Sequence, residues 1–183
     1  STIIWATYWL LNARDSGDPV TMIRLEGLEG SVAYRTNELV QHLSRFGAPT
    51  VEIDPAKTAA GWRYIRDAEP FAGKDGAVWR LSVKPSDGPK VVDALKRTSD
   101  LHGAFYDWGG GLVWLRVPEG QDPAVIRSET TRLGGHATLM RATAATRAAV
   151  EVFQPEPAPL ARIAQGLRAK FDPHGILNPG RMG

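Results

Sequence analysis

Two runs of strand-forming residues, Gly103-Ala-Phe-Tyr-Asp-Trp108 and Leu112-Val-Trp-Leu-Arg-Val117, stand either side of three consecutive glycines. Apolar, aromatic and β-branched residues broken by turn-formers over so short a distance specify a β-hairpin. What flanks the hairpin then limits the fold. Upstream, Ala77-Val-Trp-Arg-Leu-Ser-Val83 alternates as a strand with Trp79, Leu81 and Val83 on one face. A helix over Pro89–Thr98 follows and places Val91, Val92 and Leu95 on one side. Downstream, Asp122-Pro123 sets an N-cap before a proline at the first helical position. That helix runs to about Leu133, Gly134-Gly135 stops it, and His136–Arg141 is a further strand. Strand, helix, hairpin, helix, strand is the pattern of a ferredoxin-like α+β sandwich. The expected fold is an antiparallel sheet with helices packed mainly on one face.

The N-terminal part reads more loosely. Thr2–Leu11 and Val20–Leu25 are expected strands, able to pair antiparallel across the polar loop Asn12–Pro19. A helix is expected from Ser31, as N-cap, to Phe46, with Leu39, Val40, Leu43 and Phe46 as its buried face and Gly47 as terminator. Val51–Ile53 is a short strand, and Asp54-Pro55 opens a helix to about Ala68 with Trp62 and Ile65 on its apolar side. Trp79, Trp108 and Trp114 lie on expected strands, where core packing is the default. Near the other end, Thr143–Val152 is alanine-rich and helical in tendency, and Pro155-Glu-Pro-Ala-Pro159 is a stiff spacer. The last helix carries Leu160, Ile163, Ala164, Leu167 and Phe171 at helical spacing. The chain divides in expectation into an α+β domain over 1–153 and a helix with an ordered tail over 154–183.

Composition removes several classes of function. The 183 residues carry a formal net charge of +2, with Lys and Arg scattered, so no nucleic-acid footprint is written here. There is no cysteine, which excludes disulfides, thiolate metal sites and a thiol nucleophile. No apolar run reaches the roughly 20 residues of a membrane span. The chain lacks an initiator Met and begins without the basic region of a signal peptide, so it is expected to be a piece of a longer protein.

The tail, Phe171-Asp-Pro-His-Gly-Ile-Leu-Asn-Pro-Gly-Arg-Met182, has specific turn chemistry. Pro173 ends the helix near Phe171, Gly175 permits a positive φ, and Asn178-Pro179-Gly180 signals a turn. Ile176 and Leu177 between the turns call for burial. This stretch resembles the C-terminal signature of the FAD-linked oxidases of the vanillyl-alcohol oxidase type. Within that group the chain is most similar to the FAD-binding subunit of bacterial glycolate oxidase. The similarity also takes in Arg24-Leu-Glu-Gly-Leu-Glu-Gly-Ser-Val-Ala33, Trp79-Arg-Leu-Ser82 and Tyr106-Asp-Trp-Gly-Gly110. It implies a cap domain that follows a flavin domain, with a terminal segment returning to that flavin domain near the cofactor.

By the same resemblance, the activity is oxidation of glycolate or a similar 2-hydroxy acid, with hydride passing to FAD and electrons leaving through partner subunits. FAD would be bound mainly by a domain outside this chain, which alone would be inactive. Asn178, Gly180 and Arg181 match the tail motif and are the candidate cofactor-binding residues. The partners implied are the other glycolate oxidase subunits and a small 2-hydroxy acid, with self-association of this chain through apolar surface. The implied location is the cytoplasm, at the inner membrane through those partners. Two alternatives stand beside this: a sibling FAD-linked oxidase with another substrate, and a stand-alone ferredoxin-like binding or regulatory module without cofactor.

No catalytic residue is expected in the chain. His42, His102, His136 and His174 show no metal-ligand spacing, and the His-rich motif of related 2-hydroxy-acid dehydrogenases is not found. Asp107 and Glu129 have no carboxylate partner in view, and no Gly-x-Ser-x-Gly elbow occurs. Gly109-Gly110-Gly111 precedes a strand, not a helix, and is read as a hairpin turn and not a phosphate loop. Gly27-x-x-Gly30 resembles a KH nucleic-acid clamp only in its letters and is read as a strand-to-helix turn.

Overall fold

The structure is a computed structural model and describes residues 4–6, as backbone, and 21–177. Within it the chain forms two compact units, Ser1–Ala72 and Gly73–Gly183.

In the first unit, β1 (Ile4–Ala6), β2 (Ile23–Leu25) and β3 (Val51–Glu52) form a sheet in the order β2-β1-β3. Both pairings are antiparallel, as expected for the opening pair. Helix α1 (Glu29–Leu43) continues into a 3-10 turn over Ser44–Phe46, and Gly47 ends it at φ 141°. The helix starts earlier than its sequence suggests: Leu28 is the N-cap and makes no side-chain cap bond, so Ser31 lies inside the first turn. Its buried residues are Val32 and Thr36, whereas Leu39, Val40 and Leu43 are half-buried and Phe46 is exposed. Helix α2 (Pro55–Arg66) is capped as read: Asp54 Oδ1 accepts from the backbone N–H groups of Ala56 and Lys57 at 2.8 and 2.9 Å. Those bonds, led by the one from Lys57, hold the Asp54 carboxyl below its usual range. The Arg24 guanidinium lies over the Trp62 ring at 5.2 Å.

The second unit is α+β. Its strands are β4 (Ala77–Ser82), β5 (Gly103–Asp107), β6 (Leu112–Val117) and β7 (His136–Arg141). Helix α3 (Gly88–Thr98) joins β4 to β5, and α4 (Pro123–Arg132) joins β6 to β7. The order β5-β6-β4-β7, antiparallel at every pairing, is two interleaved split βαβ units, the ferredoxin-like arrangement. Alternation decides the faces. Ala77, Trp79, Leu81, Val113, Leu115, Val117, Ala137 and Leu139 point to one side. There they pack against Val91, Val92 and Leu95 of α3 and Ile126 of α4 as one buried cluster. Asp122 caps α4, its carboxylate accepting from Ala124 N–H at 2.8 Å.

The hairpin glycines are packed and not open. A Cβ on Gly110 would lie 2.7 Å from Pro85 O, and one on Gly88 would lie 2.1 Å from Gly110 O. The turn between β5 and β6 is therefore pressed against the start of α3. Trp108, expected on a strand and in the core, sits in this turn at φ 52° and is 75% exposed. The turn begins one residue before the glycines, because Asp107 accepts from Trp108 N–H at 2.7 Å and closes the strand there. Burial, and then the Asp93 carboxylate on α3, raise the Tyr106 phenol above its usual range.

Beyond β7 comes the short helix α5 (Ala144–Ala149), capped by Thr143. The chain then returns along the outer edge of β7, with Leu139 N–H donating to Val152 O and Ala137 N–H to Gln154 Oε1, both at 2.9 Å. Arg127 of α4 fixes this segment by donating to the carbonyls of Glu151 and Phe153. The edge strand is thus covered.

Helix α6 (Ala158–Phe171) closes the described chain and stops before Pro173, as read. Gly175 has φ 62°, and Asp172 accepts from the N–H groups of Ile176 and Leu177 at 3.0 and 2.8 Å. The tail thus has its turn chemistry but not the expected burial: Ile176 and Leu177 are 73% and 67% exposed. The apolar stripe of α6 is exposed too, from Leu160 through Ile163 and Leu167 to Phe171. Nothing among the described residues covers it.

Candidate functional site

The tail residues singled out by sequence, Asn178, Gly180 and Arg181, lie outside the described residues. Chemistry that is described gathers instead on the sheet face of the second unit turned away from α3 and α4. Register places Phe105 opposite Trp114, Trp114 opposite Arg80, and Arg80 opposite Thr138. Directly opposed residues on neighbouring strands have Cβ atoms about 5 Å apart, so these four form one row across the whole sheet. Phe105 and Trp114 stack with centroids 6.0 Å apart and rings inclined by 16°. Phe105, Trp114 and Arg80 are half-buried, and Thr138 is buried.

Three arginines occupy this face, and two are committed to the backbone. Arg116 donates to the carbonyls of Asp75 at 2.8 Å and His102 at 3.2 Å. Arg141 donates to the Lys74 carbonyl at 2.7 Å. In register they stand on either side of Val78, which is buried in the next row. Arg80 differs: among the described residues it has no hydrogen bond, ion pair or ring contact. The carboxylate nearest in register on this face, Asp107, is taken up by Trp108 N–H. The row therefore offers a guanidinium with free donors, a neighbouring hydroxyl and an apolar aromatic wall. That set can bind a small anion. It contains no general base and no nucleophile.

Sequence reasoning expected Trp79 and Trp114 both to be core. Trp79 is, at 2% exposure, with Arg127 above its ring at 5.5 Å. Trp114 is not, because it is out of phase with Val113, Leu115 and Val117 and so faces the other way. The signal for the row was present in the alternation of Ala77–Val83, which puts Arg80 opposite in phase to Trp79 and Leu81. Among the histidines, His102 lies 3.5 Å from Asp100 and 3.2 Å from Arg116, and no group of three metal-ligating side chains occurs among the described residues. No helix among them is long and apolar enough to cross a membrane.

No family model matches the chain, and no solved structure matches it significantly. A curated protein does: the chain is 35% identical over 171 residues to "Glycolate oxidase subunit GlcE" of Escherichia coli (strain K12). The match covers 90% of this chain but 39% of that subunit. The chain is thus similar to a bacterial glycolate oxidase subunit and spans about two fifths of that subunit's length.

Proposed function

We propose that this chain is the cap-domain portion of an FAD-linked subunit that oxidises glycolate or a similar small 2-hydroxy acid. The observation that carries this reading is the identity with a glycolate oxidase subunit along nearly the whole chain. The exposed stripe of α6 supports it. An amphipathic helix with Leu160, Ile163, Leu167 and Phe171 all more than half exposed is built to lie against something. On this reading its cover is the flavin-binding segment of the same subunit, and the tail follows the helix there, bringing Asn178, Gly180 and Arg181 towards the cofactor.

The described residues do not fit FAD as a whole. The cofactor's pyrophosphate calls for backbone N–H groups at an open glycine turn that leads into a helix. The Gly109–Gly111 turn leads into β6, with its Gly110 closed off by the Pro85 carbonyl, and before α1 the Gly27 backbone is covered by the Arg35 side chain, whose Nη2 lies 3.0 Å from where a Cβ would be. FAD is therefore held mainly outside this chain, which alone is inactive. Partner subunits accept the electrons, in the cytoplasm at the inner membrane. Without its cover, the stripe of α6 drives the isolated chain to self-associate.

The intact subunit carrying this sequence, assembled with its partners and loaded with FAD, is expected to reduce an artificial electron acceptor when given glycolate. Turnover of no small 2-hydroxy acid by that complex would refute the reading.

A further inference from the structure

We propose that Arg80 is the carboxylate-binding residue of this site, seating a small 2-hydroxy acid between Trp114 and Thr138. The proposal rests on the functional reading above and adds the residue that would select the substrate. It starts from an unusual placement. Arg80 lies at the middle of β4, a central strand, in register with Trp114 on one side and Thr138 on the other. A half-buried arginine in the middle of a sheet is often engaged, as Arg116 and Arg141 are on this same face. Arg80 differs from both in having no partner among the described residues, so its fork is available to an anion from solution.

The surroundings define that ligand. The charge it must carry is negative. The Phe105–Trp114 stack makes one side of the row flat and apolar, which excludes water and strengthens an ion pair formed beside it. The planar fork of Arg80 matches a carboxylate in bidentate fashion. Thr138 offers a hydroxyl on the opposite side, able to accept from or donate to a hydroxyl next to the carboxylate. A carboxylate with an adjacent hydroxyl and little else satisfies all of these groups. A larger apolar acid would use the aromatic wall but leave the hydroxyl unmatched.

The first test uses this chain, isotope-labelled, titrated with sodium glycolate and, in parallel, with the neutral isostere glycolamide. Glycolate is expected to shift the Arg80 Nε–H and Trp114 indole N–H signals saturably, and glycolamide is expected not to. Arg80→Gln should abolish the shift, and Arg80→Lys should weaken it, since the charge remains but the fork is lost. Equal shifts with both compounds, shifts that survive Arg80→Gln, or no shift with glycolate would each overturn the assignment. The second test is kinetic, on the intact FAD-loaded complex: Arg80→Gln should raise KM for glycolate about tenfold or more, as loss of a charged hydrogen-bonding partner implies. A complex that turns over glycolate with KM unchanged by Arg80→Gln overturns the role of Arg80 alone. Binding through Arg80 in a complex that oxidises no 2-hydroxy acid overturns the functional reading and leaves the carboxylate site standing.

Discussion

Replacing Leu81 with alanine is expected to cost the second unit about 2–5 kcal/mol of stability, the usual range for removing a large aliphatic side chain from a packed core. Leu81 is fully buried. It sits on β4, between Val113 of β6 and Ala137 of β7 in register, and belongs to the cluster beneath α3 and α4. No neighbour on a central strand can swing in to fill the space, so most of the cavity should persist. Urea denaturation should show a lower midpoint with an unchanged slope. The comparison that gives this meaning is Leu167→Ala on α6, where the side chain is 54% exposed. That change should fall within about 0.5 kcal/mol when the chain is diluted to the monomer, as surface substitutions do. A small loss at Leu81, or a large one at Leu167, would mean that the core has been placed wrongly.

Gly88→Ala is expected to destabilise the hairpin's contact with α3 by roughly 1–3 kcal/mol through forced overpacking. The reason is contact and not conformation. Gly88 has ordinary helical angles, φ −52° and ψ −52°, so alanine suits its backbone. Its Cβ would nevertheless come within 2.1 Å of Gly110 O and 3.4 Å of the Tyr106 ring. One backbone must move, and either α3 lifts from the sheet or the β5–β6 turn opens. Gly166 is the control. It lies inside α6 with open space where a Cβ would go, so Gly166→Ala should stabilise that helix by about 0.5–1 kcal/mol through propensity. Thermal melts of the two variants should therefore move in opposite directions. Equal and small shifts would show that the hairpin turn does not press on α3.

Much of this was legible in the residues. The hairpin, the two flanking helices and the Asp-Pro caps follow from local chemistry, and in the second unit each local preference agrees with the fold. The failures have physical causes too. Ser31 is a good N-cap residue, yet α1 starts at Glu29, because packing of Val32 and Thr36 set the helix and overrode the cap. Trp108 looked like core because it ends an apolar run, but the Asp107 side chain turns the chain before it. Trp114 and Arg80 share a face that alternation could identify. What alternation could not tell is whether that face was covered, since strand pairing is not written in a single strand. The exposure of Ile176 and Leu177 is of the same kind: the sequence calls for burial, and no described residue supplies it.

The central claim is that these residues form a cap whose cofactor is held elsewhere in the same protein, and flavin binding tests it most directly. The chain is titrated with FAD alone and then together with the upstream segment of its own gene, following flavin absorbance and fluorescence. The account predicts no binding by the chain alone, and binding when the upstream segment is present. Tight binding of FAD by these 183 residues alone would contradict it and place the cofactor site within this chain.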